Sequence, residues 1–225
     1  CCLLPVCPHR NRESNVRYNL GPTHSNHTHY VGAVFELAPG ACPDHPNGAV
    51  VSGSNDKTAI VWEPLSNTVV ATLRGHDDAI LSVGLSKGTS GDIVTGSMDK
   101  TAKVWRNGQA AVTLRGHDFG VWAVIGLVNG TLVTASADKT IKMWDAAGNC
   151  TKTMKKHEDA ARGLCRHPQD AGFYSCSNDG SVILWSNEGD VLQTMLGHEN
   201  FVYSLASLPT GEIISASEDR CVDWV

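Results

Sequence analysis

The chain has 225 residues, of which 41% are apolar and 18% are charged, and its formal net charge is −5. This apolar fraction is enough for a folded core, so disorder over the whole length is excluded. No run of 18 apolar residues is present that would span a membrane as a helix. The slightly acidic net charge leaves no excess of basic residues to bind the phosphates of a nucleic acid. We therefore expect neither a nucleic acid nor a membrane among the partners.

Residues 1–26 are rich in Asn, Arg, His, Ser and Pro and show neither helical nor strand periodicity. We predict that they form an irregular, disordered tail. Several side chains in and just after this segment could be drawn as a metal cluster: Cys7, His9, His24, His27 and His29. A ligand set needs a rigid scaffold, which nothing here supplies, so we expect no metal and no cofactor.

The eight cysteines are scattered and do not form the compact framework of a small disulfide-rich domain. Four of them lie singly in patterned segments: Cys150, Cys165, Cys176 and Cys221. We predict that these four are small buried or half-buried hydrophobes in a reducing compartment.

Three kinds of residue recur with one period along the rest of the chain. Five tryptophans (Trp62, Trp105, Trp144, Trp185 and Trp224) are separated by 43, 39, 41 and 39 residues. Four histidines (His76, His117, His157 and His198) are separated by 41, 40 and 41 residues. An aspartate stands six residues before each of the first four tryptophans: Asp56, Asp99, Asp138 and Asp179. A shared period of about 40 residues indicates a repeat architecture.

The local pattern inside each repeat is that of strands. Segments such as GDIVTGS (Gly91–Ser97) and GTLVTAS (Gly130–Ser136) are short, β-branched and bounded by turn residues. KTAKVW (Lys100–Trp105) then alternates polar and apolar residues, and a turn and a further strand follow each tryptophan. Four short strands per period predict an all-β propeller, with repeats at approximately 27–73, 74–114, 115–154, 155–195 and 196–225.

The spacing of GH, Asp and Trp, with Ser or Thr ahead of the Asp, resembles the WD40 repeat over residues 29–225. GSMDKTAKVW, VTASADKTIKMW, YSCSNDGSVILW and GHENFVYSLASLPTGEIISASEDR, in this order, resemble the N-terminal propeller of the phospholipase A2-activating protein family. That resemblance implies ubiquitin or ubiquitinated proteins as partners. It also implies an AAA-type segregase, bound through C-terminal domains absent from this chain, and a location in the cytoplasm and nucleus.

Each repeat brings together a His, a hydroxyl, an Asp and a Trp, and we predict a structural hydrogen-bond network from them. The sets are His76/Thr95/Asp99/Trp105, His117/Thr134/Asp138/Trp144 and His157/Ser175/Asp179/Trp185, with a damaged copy at His198/Ser215/Asp219. We expect the Asp to accept from the His ring, the ring to donate to the hydroxyl, and the hydroxyl to accept from the indole N–H. The hydroxyls two residues before each Asp are rival candidates: Ser97, Ser136, Ser177 and Ser217. Because a Ser–His–Asp catalytic set is needed only once, its repetition predicts no catalytic residues and no enzyme.

A second set of residues is predicted to face a partner. Positions three and five after each repeat His, and the position before each repeat Asp, are expected on one face of the propeller unless a β-bulge shifts the phase. Seven of them form a candidate patch: Met98, Trp122, Arg162, Asn178, Phe201, Tyr203 and Glu218. Trp122 is the one tryptophan outside the repeat register, and Trp, Tyr and Arg are enriched at binding hot spots. The alternative is that Trp122 and Phe201 merely fill space between blades.

The first and last repeats depart from the pattern. His29 lies 27 residues before Asp56, so either GACPDHPNG (Gly40–Gly48) is an insertion or His29 is not the repeat histidine. Trp224 falls five residues after Asp219 instead of six, which puts the pairing of its strand in doubt. A seven-blade ring needs roughly 290 residues, and the chain starts at Cys1 rather than Met. We therefore expect an incomplete propeller of about four to five blades, from a processed or fragmentary chain.

The sequence thus predicts a non-catalytic protein-interaction module that binds ubiquitin in ubiquitin-dependent protein degradation. The alternative is a WD40 scaffold subunit of another complex, such as a ligase substrate receptor or a trafficking coat.

Overall fold

The computed structural model describes residues 26–63, 66, 68–86, 91–208, 210 and 212–224. The predicted tail at 1–26, with Cys7, His9 and His24 of the conceivable metal cluster, lies almost entirely outside them. The described part of the chain contains 19 β-strands, grouped in five antiparallel sheets in chain order. It contains no helix long and apolar enough to cross a membrane. The expectation of an all-β propeller with about four to five blades is confirmed, and the described residues form five blades.

The strands follow the repeat closely. The first blade is β1 (Val31–Leu37), β2 (Ala49–Ser54), β3 (Thr58–Glu63) and β4 (Thr68–Arg74). The second is β5 (Ile80–Leu85), β6 (Ile93–Ser97), β7 (Thr101–Arg106) and β8 (Gln109–Arg115). The third is β9 (Val121–Gly126), β10 (Leu132–Ser136), β11 (Ile141–Trp144) and β12 (Cys150–Met154). The fourth is β13 (Ala161–Arg166), β14 (Phe173–Ser177), β15 (Ser181–Trp185) and β16 (Val191–Leu196). The fifth is β17 (Val202–Ser207), β18 (Ile213–Ser217) and β19 (Val222–Trp224).

The first strand of each blade lies innermost, and β1, β5, β9, β13 and β17 pack side by side in that order. The apolar core is divided into four clusters, each filling the space between two neighbouring blades. Trp105, Trp144 and Trp185 belong to these clusters; Trp144, for example, is 1% exposed. A blade therefore buries its faces only against its neighbours.

Every innermost strand carries a β-bulge near its start. The register shifts at Val31/Ala33, Ile80/Ser82, Ala161/Gly163 and Val202/Ser204, and the partner of Ser136 in β9 likewise skips Trp122. The skipped residues are Gly32, Leu81, Trp122, Arg162 and Tyr203. The last four each lie five positions after the repeat histidine of their blade. A bulge frees one side chain from the alternation of the strand and re-aims it.

The last blade differs in its register. Trp105 in β7 pairs with Ile93, two residues before the Thr95 of its network, whereas Trp224 pairs with Ile214, one residue before Ser215. The shorter spacing after Asp219 therefore shifts the pairing of β19 by one residue. As a result Asp223 stands opposite Ser215.

Two sequence predictions about exposure are wrong. Cys165 is half-buried and Cys176 is buried, but Cys150 and Cys221 are exposed. Cys150 opens an outermost strand, where no neighbouring blade covers it, and Cys221 lies in the turn before β19.

The outermost strand β16 ends on an exposed apolar residue, Leu196, which is 80% exposed. The equivalent positions of the other blades hold cations: Arg74, Arg115 and Lys155.

Candidate protein-binding face

The repeated network ties the loop between two blades to the hairpin of the following blade. In the second blade His76 Nδ1 lies 2.7 Å from Asp99 Oδ2, and His76 Nε2 lies 2.7 Å from Thr95 Oγ1. The Trp105 indole N–H donates to the same hydroxyl at 2.8 Å. The two ring nitrogens of His76 therefore bridge the Asp99 carboxylate and the Thr95 hydroxyl.

The same contacts recur in the other blades with nearly constant distances. The third blade uses His117, Asp138, Thr134 and Trp144 at 2.7, 2.7 and 2.8 Å. The fourth uses His157, Asp179, Ser175 and Trp185 at 3.0, 2.7 and 2.7 Å. In the fifth, His198 lies 2.7 Å from both Asp219 and Ser215. A constellation present in every blade is a structural device.

The first blade has this network too, and its histidine is His27. His27 contacts Asp56 and Ser52 at 2.8 Å each, and Trp62 donates to Ser52 at 2.8 Å. His29 is therefore not the repeat histidine. The loop between β1 and β2, which contains the predicted insertion, lengthens the spacing from His27 to Asp56. Among the described residues no group of three His, Cys, Asp or Glu side chains could hold a metal ion.

The rival serines have a separate role. Ser97 Oγ donates to the backbone carbonyl of Asp78 at 3.0 Å and accepts from the Asp99 N–H at 3.1 Å. Ser136 and Ser177 make the equivalent bonds. In the first four blades the hydroxyl four residues before the Asp thus bridges His and Trp, while the hydroxyl two residues before it fixes the loop between blades.

The network sets the charge state of its aspartates. Burial by itself raises the pKa of Asp99, but hydrogen bonds from His76, Thr101 and the Asp77 N–H outweigh it and hold the pKa well below its usual range. The pKa values of Asp138 and Asp179 are lowered in the same way. For Asp219, burial is again outweighed by its hydrogen bonds, and the pKa falls to about 2.

We call the end of the blades that carries the loops between blades the upper face. At this face the bulged residues of three consecutive blades stack on one another. The guanidinium carbon of Arg162 lies 4.0 Å from the ring centroid of Trp122 and 5.1 Å from that of Tyr203. Arg162 is half-buried, and Tyr203 is 45% exposed. We call these three residues the stack.

The residues before the repeat aspartates hold the stack from its sides. Arg162 Nε–H donates to Asn178 Oδ1 at 2.6 Å, and the Tyr203 hydroxyl donates to Glu218 Oε2 at 3.0 Å. The bond to the Glu218 carboxylate raises the pKa of Tyr203. Phe201 is half-buried and meets the Tyr203 ring edge-on at 6.5 Å.

Met98 extends this surface toward the second blade. A side chain at Gly120 would place its Cβ 2.6 Å from Met98 Sδ and 3.6 Å from Trp122 Nε1, so Met98 and Trp122 flank this glycine. Met98 is 47% exposed. The structure therefore brings all seven predicted face residues together as one surface. The third position after the histidine, by contrast, is buried in the middle blades, at Ala79, Gly120 and Ala160.

Sequence reasoning missed Phe119, which is 60% exposed beside Gly120 and has Lys100 Nζ 5.8 Å from its ring centroid. The equivalent positions hold polar side chains that accept from the next backbone N–H: His29, Asp78, Asp159 and Asn200. A single apolar residue in an otherwise polar column was the signal that could have identified it.

Comparison with known proteins places these features in context. The sequence profile described as "WD domain, G-beta repeat" matches residues 21–63, 67–106, 108–145, 148–186 and 189–222. The ubiquitin homeostasis protein lub1 of Schizosaccharomyces pombe is 39% identical over 72 residues, which are 32% of this chain and 10% of that protein. The phospholipase A-2-activating protein of Xenopus laevis is 40% identical over 100 residues, 44% of this chain and 12% of that protein.

Among solved structures, the WD40 β-propeller domain of Doa1 superposes with a TM-score of 0.71 at 29% identity, over 78% of this chain and 60% of that chain. The resemblance stated from the sequence motifs is thereby confirmed. The chain spans about a tenth of the length of the two relatives.

Proposed function

We propose that this chain, which belongs to the WD domain, G-beta repeat family, binds ubiquitin or ubiquitinated proteins through its upper face. Propellers of this family are generally non-catalytic interaction scaffolds, and the names of the matched relatives describe no enzyme. A role in protein interaction therefore follows from the fold. Ubiquitin as the partner, within ubiquitin-dependent protein degradation, is our proposal.

The stack of Trp122, Arg162 and Tyr203 is the observation that carries this proposal. The third and fourth blades do not need it for their packing, because Trp144 and Trp185 already fill the core between neighbouring blades. Large aromatic side chains and an arginine that are held rigidly on a face are typical of binding hot spots. The name of the lub1 relative, a ubiquitin homeostasis protein, supports ubiquitin as the occupant.

The proposal also covers the cellular location of the protein and a second partner. We place it in the cytoplasm and nucleus, and we expect an AAA-type segregase among its partners. The upper face is then the part that receives ubiquitin.

Titration of the 15N-labelled chain with mono-ubiquitin tests the proposal. We expect saturable shifts of the Trp122 indole resonance, and Trp122→Ala, Arg162→Ala and Tyr203→Ala should each weaken binding about tenfold or more, as truncated hot spots do. Val128→Ala is the matched control, because Val128 is exposed in the loop between β9 and β10 at the other end of the same blade. Absence of shifts in the wild-type chain would refute ubiquitin binding and favour a scaffold role in another complex.

A further inference from the structure

We propose that Arg162 is a carboxylate receptor: its two terminal nitrogens bind the side chain of one aspartate or glutamate on the protein partner. This inference rests on the proposed role of the upper face as a protein-binding surface. It adds to that role the chemical group that the centre of the face recognises.

The environment of the guanidinium leaves only one of its edges free. Trp122 and Tyr203 both lie against the guanidinium, whose carbon is 4.0 Å and 5.1 Å from their ring centroids, and the Nε–H is occupied by Asn178 Oδ1 at 2.6 Å. Within the described part of the chain, no residue accepts a hydrogen bond from the Nη1 or Nη2 atoms of Arg162, and no carboxylate lies within 4.0 Å of them. The edge that carries Nη1 and Nη2 is therefore a set of donors without acceptors.

A half-buried cation without a counter-ion has lost part of its hydration, and the two rings and Asn178 replace that hydration only in part. A carboxylate at the terminal edge of a guanidinium makes two parallel charge-assisted hydrogen bonds, which are stronger than neutral ones. The stack and Asn178 already fix the plane of the guanidinium, so little side-chain entropy remains to be lost when the carboxylate arrives.

The surroundings favour a single carboxylate over a more highly charged group. The Glu218 carboxylate is bonded to Tyr203 on one side of the stack. Residues 196–225 carry five carboxylates and only one cation. A dianionic phosphate, or a cluster of acidic residues, would meet like charge on the fifth-blade side, whereas one carboxylate is neutralised by one guanidinium.

The flanking side chains specify what surrounds that carboxylate on the partner. Met98, Trp122 and Phe201 present apolar atoms at and beside the stack. We therefore expect the recognised Asp or Glu to project from an otherwise apolar contact surface of a folded domain. In such a contact the ion pair is desolvated and contributes to specificity.

The first arm of the test is independent of ubiquitin. Sodium acetate and sodium chloride are titrated at equal ionic strength into the chain carrying 15N-labelled arginine, and the Nε and Nη resonances of Arg162 are followed. We expect a saturable shift of the Arg162 resonances with acetate and none with chloride. Arg166 is the internal control, because it is a half-buried arginine at the other end of the same strand. An equal response of Arg162 and Arg166 to acetate would contradict the assignment of Arg162 as a carboxylate receptor.

The second arm measures the affinity for mono-ubiquitin by calorimetry. Arg162→Gln removes the charge, and Arg162→Lys keeps it but loses the paired donors, so both should weaken binding about tenfold or more. Asn178→Ala frees Nε while leaving the terminal nitrogens in place, and it should weaken binding less.

The two arms separate the two proposals. Acetate binding at Arg162 without any ubiquitin binding would refute ubiquitin as the partner and support the receptor. Ubiquitin binding that Arg162→Lys leaves unchanged, with no acetate response, would overturn the receptor and leave the proposed function standing. If methylphosphonate binds more tightly than acetate in the first arm, the carboxylate assignment is wrong, and the group that Arg162 recognises is a phosphate on a phosphorylated partner.

Discussion

Replacing the hydroxyl of Thr134 tests the structural role assigned to the repeated network. This hydroxyl is fully buried, bonds His117 Nε2 at 2.7 Å and accepts from the Trp144 indole N–H at 2.8 Å. Thr134→Val keeps the shape of the side chain and opens no cavity, but it leaves both of these polar groups unpaired. Each buried unpaired group costs about 1–3 kcal/mol, so we expect the free energy of unfolding to fall by about 2–6 kcal/mol for the two groups. That is a large share of the ~5–15 kcal/mol that stabilises a typical domain.

Thr134→Ser is the matched control. Ser175 makes the same two bonds in the fourth blade at 2.7 Å each, so a serine at 134 keeps the network and loses one buried methyl group, about 1 kcal/mol. Urea unfolding followed by tryptophan fluorescence and by far-UV circular dichroism gives the difference. The reasoning fails if the valine variant stays within about 0.5 kcal/mol of wild type, or if the serine variant is destabilised as much as the valine variant.

Four further predictions concern acid stability, the face, cysteine reactivity and the edges. Because the folded-state pKa of the network aspartates is lowered, their stabilisation is complete above the unfolded value of about 3.9 and is lost as the pH falls from there toward the folded value. The urea midpoint should therefore drop between pH 4 and pH 2, and less so in Asp138→Asn; equal slopes would contradict this. Phe119→Asp restores the polar residue of the other blades, so we expect unchanged thermal stability but weaker binding of mono-ubiquitin, and unchanged affinity would remove Phe119 from the face. In native-state alkylation followed by peptide mass spectrometry, exposed Cys150 should react, whereas Cys176, whose pKa burial raises to about 12, should react only after denaturation. Leu196→Arg should reduce light scattering at high protein concentration with a change in unfolding free energy within about 0.5 kcal/mol, and unchanged scattering would show that this edge does not self-associate.

Features that repeat could be predicted from the sequence because the same physical requirement is imposed in every blade. Each space between blades needs a large apolar residue, and each loop between blades needs a fixed anchor. Trp105 and Trp144 meet the first need, and His76 with Asp99 meets the second. A requirement that recurs about every 40 residues leaves a periodic pattern, which a single sequence is enough to reveal.

The features that the sequence did not predict arise where a position departs from its repeat. The spacing of His27 from Asp56 is lengthened by a loop, so the histidine of the first network could not be identified by counting. Phe119 replaces a residue that bonds its neighbouring N–H, and Cys221 stands where Thr101 donates to the repeat Asp. Such substitutions change exposure through local contacts that spacing does not reveal.

The order of the stacked residues determines what the upper face can recognise. The bulge presents one side chain per blade, and these are Gly32, Leu81, Trp122, Arg162 and Tyr203 in chain order. Because the cation contacts both aromatic rings and its Nε–H is bonded to Asn178, the guanidinium is held in place and its terminal donors stay available. Exchanging the residues at 122 and 162 would place the two rings side by side and remove one of the two ring contacts of the cation. The alternation of aromatic, cation and aromatic across three neighbouring blades is therefore what converts a surface arginine into an oriented binding group.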